Sequence, residues 1–321
     1  MSEHVNRLRL TSSRVADLLG VHASTVKRWC DDGTLQSERT EGGHRRIPLA
    51  DAMEAARAQD ISTYLDPFHP WEANVWLAVT DVEERQSFDR LHNLALGWLT
   101  GGNPELMGRL LFVVGTRPDV PFTLFLEEGI RAFMARVGDE WQSGRLGVGE
   151  EHMASQVVME VLLRLRPGWD NPRPIQEGPG DPPPVAVVGA IEGDHHHLGA
   201  QAVRVLLERD GWRVYYLGAD VPVEEFGEIQ RAQGATLVCI SFSPKNTIPD
   251  LQRAVRVLSE FYRPEYPYAL GLGGSFKEFA SDRIPGTPFE SLAIPRSTED
   301  FLDWARSLLD EDDSATPRRV A

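Results

Sequence analysis

A chain of 321 residues is too long for one ordinary core and predicts two or three domains. No apolar stretch approaches the roughly 20 residues needed to cross a bilayer, and the N-terminus lacks a signal-peptide pattern, so a cytoplasmic protein without membrane contact is expected. The net charge of −15 speaks against nucleic acid as a partner of the whole chain. However, residues 1–50 hold eight Lys/Arg against six Asp/Glu, which leaves +2 there and −17 on the rest. An acidic body joined to a mildly basic head favours specific or multivalent binding over non-specific binding. The two cysteines, Cys30 and Cys239, lie far apart without a CxxC partner and read as packing residues, giving neither a disulfide framework nor a zinc site.

Residues 11–33 predict two short helices joined by a tight turn. Ser12 or Ser13 caps the first, Gly20 ends it in the left-handed conformation, and Ser24-Thr25-Val26-Lys27-Arg28-Trp29 opens the second. Val15, Leu18, Leu19, Val21, Val26 and Trp29 supply the apolar contacts of a helix-turn-helix. Two extended segments then turn at Gly42-Gly43 and form a wing whose far strand begins with three basic residues, His44, Arg45 and Arg46. This order resembles the DNA-binding head of the MerR superfamily. The resemblance implies that Thr25, Lys27 and Arg28 face the major groove of double-stranded operator DNA while His44, Arg45 and Arg46 grip its backbone or minor groove. A small helical domain with a solvated basic turn is the plainer alternative.

A helix from Ala50 to about Ala58 leads to a linker around Asp66-Pro-Phe-His-Pro70, which closes a first domain over 1–70. Residues 75–168 read as helical throughout. Leu126, Ile130, Phe133, Val137 and Trp141 recur at spacings of three or four, and helices near 82–99 and 104–114 complete a four-helix bundle. A Pro- and Gly-rich second linker covers 168–183. Apolar runs at 185–191, 213–217, 236–243, 268–273 and 291–294 then alternate with helical patterns. Residues 183–310 thus predict a doubly wound, Rossmann-like domain: a five-stranded parallel sheet with helices on both faces and its ligand at the carboxyl strand ends. A polar disordered tail over 311–321 completes a multidomain architecture of all-α winged head, four-helix bundle and α/β sheet.

Asp194-x-His196-x-x-Gly199 directly follows the first of these strands. Such a loop offers one imidazole nitrogen to a bound metal, with Asp194 holding the other ring nitrogen and Gly199 letting backbone pass close to the ligand. His195 and His197 leave two plainer readings open, an exposed divalent-metal site and a polar loop. Ser241-Phe-Ser243 ends the third strand and Gly271-Leu-Gly-Gly274 the fourth, and small residues there would open a slot for a planar group. Together these motifs resemble the cobalamin-binding domain of methionine synthase and corrinoid proteins. That resemblance implies His196 as lower cobalt ligand, Asp194 as its orienting partner, and Ser241, Ser243, Gly273 and Gly274 as lining for the displaced nucleotide tail. Ser243 stands where an aliphatic residue or Thr is usual.

In the helical region Trp141 is followed, after nine intervening residues, by Glu151-His152. A core aromatic and a solvated helix start would explain these residues individually. Trp-x9-Glu-His between a MerR-like head and a cobalamin domain, however, resembles the CarH and LitR photoreceptor regulators, and the three parts cover nearly the whole chain. That resemblance implies a light-sensitive transcriptional repressor rather than an enzyme. Adenosylcobalamin would sit with Trp141, Glu151 and His152 on its upper face. In darkness the chain would self-associate as a dimer or tetramer on DNA, and light would break the cobalt–carbon bond and disperse the assembly. Gln142 departs from the pattern, because the best-understood members carry there a His that becomes the upper ligand after light. An amide is a poor cobalt ligand, so the expected photoproduct is either water-ligated, less stable and more readily reversed, or held by another residue such as His152. Three other readings remain in view: a sensor of cofactor supply or a regulator under a protein antagonist, a corrinoid methyl carrier, and a MerR-type sensor of an organic ligand.

Overall fold

The computed structural model describes residues 8–169, 182–274, 276, 286–289 and 291–314. Most of the expected second linker (170–181) and the last residues of the expected tail (315–321) lie outside the described residues. By packing, the chain separates into two units, Met1–Val114 and Gly115–Ala321.

The first unit begins with β1 (Arg9–Leu10), α1 (Ser12–Leu19), α2 (Ala23–Asp31), β2 (Glu38–Arg39), β3 (Arg45–Pro48) and α3 (Leu49–Ala58). The cap of α1 is Thr11, not the expected Ser12 or Ser13. Its extended backbone places Oγ1 to accept from the Arg14 N–H at 3.3 Å, and both serines are already helical. Gly20 ends α1 at φ 63, as expected. His22 precedes α2, where Nδ1 accepts from the Ser24 N–H at 3.2 Å. Val15, Leu19, Val26, Leu35 and Ile47 close a small core, and β3 lies between β1 and β2 in an antiparallel sheet.

The proline-containing stretch at 66–70 is packed where a loose linker was expected. Asp66–Phe68 forms a 3-10 turn, Leu65 and Phe68 are fully buried, and Phe68 stacks on Trp98 with ring centroids 5.8 Å apart. Burying two such side chains contributes about 3–6 kcal/mol before entropy is counted. The helix expected near 82–99 is two helices, α4 (Glu72–Arg85) and α5 (Asp89–Thr100), because Gln86 adopts φ 54 and ends the first. Helix α6 (Pro104–Gly115) follows, and Arg14 of α1 pairs with Glu84 of α4.

The second unit carries the remaining helices of the 75–168 region and the sheet. Helices α7 (Phe122–Leu124) and α8 (Ala132–Gln142) flank a π-helical stretch, Phe125–Arg131, and α9 (Val148–Arg164) follows a turn at Gly144. Strands β4 (Val185–Ile191), β5 (Arg213–Val221), β6 (Leu237–Phe242), β7 (Ala269–Gly274) and β8 (Leu292–Ala293) form an all-parallel sheet in the order β5-β4-β6-β7-β8. This is the expected doubly wound fold. Val187, Val238, Ile240, Leu270 and Leu272 are buried in near-continuous apolar strands, as a sheet covered on both faces requires. Helices α10 (Leu198–Arg209), α11 (Val223–Gln233), α12 (Ile248–Phe261) and α13 (Thr298–Ser314) supply the cover, α13 running into the segment expected to be disordered. The strand order reverses between β4 and β6, the crevice where such sheets take ligands.

Candidate functional site

The loop after β4 enters this crevice. Asp194 is fully buried, and both of its carboxylate oxygens are engaged. Oδ1 accepts from the His196 N–H at 2.9 Å and lies 3.2 Å from His196 Nδ1, while Oδ2 accepts from the Ser243 N–H at 2.7 Å. One side chain thus orients the imidazole and ties the β4 loop to the β6 loop. With Nδ1 against the carboxylate, Nε2 lies on the opposite ring edge, in a side chain 56% exposed. A histidine so held is built to give Nε2 to an incoming metal.

Asp220, which had no signal in the sequence, completes the loop. Its Oδ1 accepts from the Gly193 N–H at 2.7 Å, and its own N–H donates to the Asp194 carbonyl at 3.0 Å. It does this from the end of β5 with φ 55, a conformation that costs a non-glycine residue energy and that concentrates at functional sites. The neighbouring histidines differ. His195 is exposed, whereas His197 Nδ1 lies 3.3 Å from the Tyr216 hydroxyl. Burial pushes Tyr216 up to about 12, against the opposing charge of Arg204, so the phenol stays a neutral donor. Among the described residues no three His, Cys, Asp or Glu side chains gather to hold a metal, which removes support from the three-histidine site.

The expected slot residues come together at the strand ends. Ala190, Ser241 and Gly273 are in register across β4, β6 and β7, with Phe242 opposite Gly274 one step on. A Cβ at Gly199 would fall 2.8 Å from Ser241 Oγ, so the first turn of α10 sits close to β6 and a larger residue would have to turn the Ser241 hydroxyl aside. A Cβ at Gly273 would meet nothing within 4 Å, which marks open space beside β7. An exposed imidazole nitrogen beside open space at Gly273 fits a corrinoid's need for a nitrogen donor next to the sheet.

The second expected constellation lies at the α8–α9 turn. Trp141, 45% exposed, is the penultimate residue of α8, and its carbonyl accepts from the Gly144 N–H at 2.9 Å. Glu150 caps α9 through the Gly147 N–H, and Glu151 and His152 are the next two residues. His152 Nδ1 lies 2.8 Å from Glu151 Oε2, and Ser155 donates to Glu151 Oε1 at 3.1 Å. The C-terminal end of α9 is fastened to the sheet domain. Arg166 forks onto Glu208 at 2.5 and 2.8 Å, Arg209 donates to the Leu165 carbonyl at 3.1 Å and lies over Phe122, and Thr298 donates to Glu127 of the π-helix at 2.8 Å. We expect Glu208→Ala to cost about 1–2 kcal/mol and lower the calorimetric midpoint by a few degrees, since it strips a half-buried bidentate pair that also holds Arg204.

In the head, Lys27, Arg28, His44 and Arg46 are exposed and Thr25 is half-buried, all on α2 or the wing as expected. Arg45 differs. Its side chain is 14% exposed and is paired with Asp31.

Comparison with known proteins accords with this division. A helix-turn-helix domain family matches residues 9–59, and B12 binding domain families match residues 119–166 and 184–284. The chain is 26% identical over 270 residues to the HTH-type transcriptional repressor CarA of Myxococcus xanthus, which covers 81% of this chain and 84% of CarA. It is 28% identical over 144 residues to dimethylamine corrinoid protein 3 of Methanosarcina acetivorans, covering 45% of this chain and 65% of that protein. Among solved structures it is similar to the monomethylamine corrinoid protein of Methanosarcina barkeri, at 19% identity and a TM-score of 0.49, over 69% of this chain and 97% of that one. No helix among the described residues is long and apolar enough to cross a membrane. Head, helices and sheet together make the chain a helix-turn-helix protein with B12-binding domains, similar to CarA along most of its length.

Proposed function

We propose that the chain is a transcriptional repressor, not an enzyme, whose hold on double-stranded operator DNA depends on adenosylcobalamin and is released by light. The observation that carries this is Asp194, buried and fully bonded, fixing an exposed His196 at the switch point of the sheet of a chain that also has a helix-turn-helix head. His196 would hold the lower face of the cofactor. Ser241, Ser243, Gly199, Gly273 and Gly274 would line its tail slot, and Trp141, Glu151 and His152 would close its upper face. Bound adenosylcobalamin supplies a light-labile cobalt–carbon bond. The chain's own residues do the rest: the fastened α9 couples the upper residues to the sheet, and self-association as a dimer or tetramer places several heads on DNA together.

Mixing the chain with adenosylcobalamin in darkness, and measuring mass and retention of a promoter-length duplex before and after green light, tests this reading. Dark assembly and DNA retention that light reverses are expected; assembly indifferent to light would instead identify a sensor of cofactor supply. His196→Ala is expected to weaken cobalamin binding or to shift the bound cofactor's absorption spectrum. An unchanged spectrum and affinity would refute the ligand assignment. The similarity to corrinoid proteins favours a methyl carrier as second reading over the cofactor domain alone, and the helix-turn-helix match at 9–59 weighs against it.

A further inference from the structure

The three basic residues of the wing are not equivalent. Along β3 the side chains alternate, so Arg45 shares a face with the buried Ile47 while Arg46 points the other way and is exposed. Arg45 turns onto Asp31 at the last position of α2, and Arg39, directly opposite Arg45 across the β2–β3 pair, reaches the same carboxylate oxygen at 3.5 Å. A carboxylate at a helix C-terminus opposes the helix dipole, so Asp31 sits where its charge is unfavourable to α2 itself. Its partners lie instead on both strands of the wing. Those strands are short, β2 having two residues and β3 four, and hairpins of that length do not hold one geometry unaided.

We propose that Asp31 is the positioning residue that fixes the pitch of the wing against the end of α2, and that Arg45 serves this clamp rather than a phosphate. The role in recognition rests on the DNA-binding reading above. Lys27 and Arg28 on α2 and His44 and Arg46 on the wing then present their charges at one fixed separation, with Arg46 as the wing's main phosphate contact. Glu38, opposite Arg46, is drawn to Arg9 at 3.2 Å, which leaves Arg46 available.

The test uses the full chain with Asp31→Asn, Arg45→Ala, Arg46→Ala and the Asp31→Asn/Arg45→Ala double variant. It has two readouts: amide hydrogen exchange across residues 38–46, and salt-dependent affinity for a duplex that the wild-type chain selects from a random-sequence pool. Asp31→Asn and Arg45→Ala are each expected to speed wing exchange and to weaken binding roughly 10-fold. Neither is expected to change the slope of log K against log salt, and the double variant is expected to be no worse than Arg45→Ala alone. Arg46→Ala is expected to reduce that slope by about 0.9, the signature of one lost phosphate contact. A slope reduced by Arg45→Ala, or tighter binding by Asp31→Asn, would overturn the proposal, since Arg45 would then be a phosphate contact that Asp31 holds back. If the wild-type chain selects no duplex, the DNA-binding reading fails, and the clamp stands or falls on whether Asp31→Asn speeds wing exchange.

Discussion

Asp194→Ala is expected to lower the calorimetric midpoint by roughly 4 °C or more and to weaken cobalamin binding 10- to 100-fold. The fully buried carboxylate satisfies the Ser243 and His196 N–H groups and faces His196 Nδ1. Alanine leaves the His196 N–H without this acceptor and the Ser243 N–H with only Asn246 Oδ1, 2.7 Å away, a loss of about 1–3 kcal/mol. It also frees the imidazole to rotate, so the metal must pay to orient its own ligand. Asp194→Asn keeps the shape and one acceptor oxygen and is expected to fall between wild type and alanine on both measures. Calorimetry without cofactor and equilibrium titration with cobalamin separate the two effects. A wild-type midpoint together with wild-type affinity would show that Asp194 neither joins the loops nor orients His196.

Gly274→Ala is expected to destabilise the sheet domain by about 3 kcal/mol or more, a midpoint drop of roughly 6–12 °C. Gly274 has φ 104, and a Cβ there would fall 1.9 Å from the Phe242 carbonyl oxygen and 2.9 Å from its carbon. The obstacle is backbone of the paired strand, which cannot swing aside as a side chain can. Relief requires β6 and β7 to part at their carboxyl ends, where the tail slot is proposed, so affinity for cobalamin is expected to fall with stability. Gly273→Ala is the control. Its Cβ meets open space, so the apo chain is expected to keep its midpoint while the cofactor loses room. Equal loss of stability in both variants would contradict the distinction.

Much of this arrangement was legible in the sequence because parallel strands buried on both faces read as apolar runs. Val185–Ile191 and Leu237–Phe242 are such runs, and the residues that follow them must lie at one edge of the sheet. The pairing of Asp194 with His196 follows from their being two residues apart on a loop. Asp220 was not legible, being 26 positions from Asp194 and a non-glycine residue in a left-handed conformation, which local rules assign to glycine. The break at Gln86 was hidden for the same reason, and two helices read as one. The π-helix at Phe125–Arg131 was also invisible. Leu126, Ile130 and Phe133 keep a helical spacing whichever hydrogen-bond register the backbone adopts. At the wing, composition marked Arg45 and Arg46 alike as phosphate contacts. Only strand alternation with Asp31 nearby distinguishes them.

His196 is expected to meet cobalt through its free nitrogen. The direct measurement is electron paramagnetic resonance of the chain carrying cobalt(II) cobalamin, grown once with ordinary and once with nitrogen-15 histidine. Coordination by His196 predicts a nitrogen splitting that changes from triplets to doublets on labelling and is absent in His196→Ala. Triplets that persist with labelled histidine would show that the cofactor's own base, and not this residue, holds the metal from below.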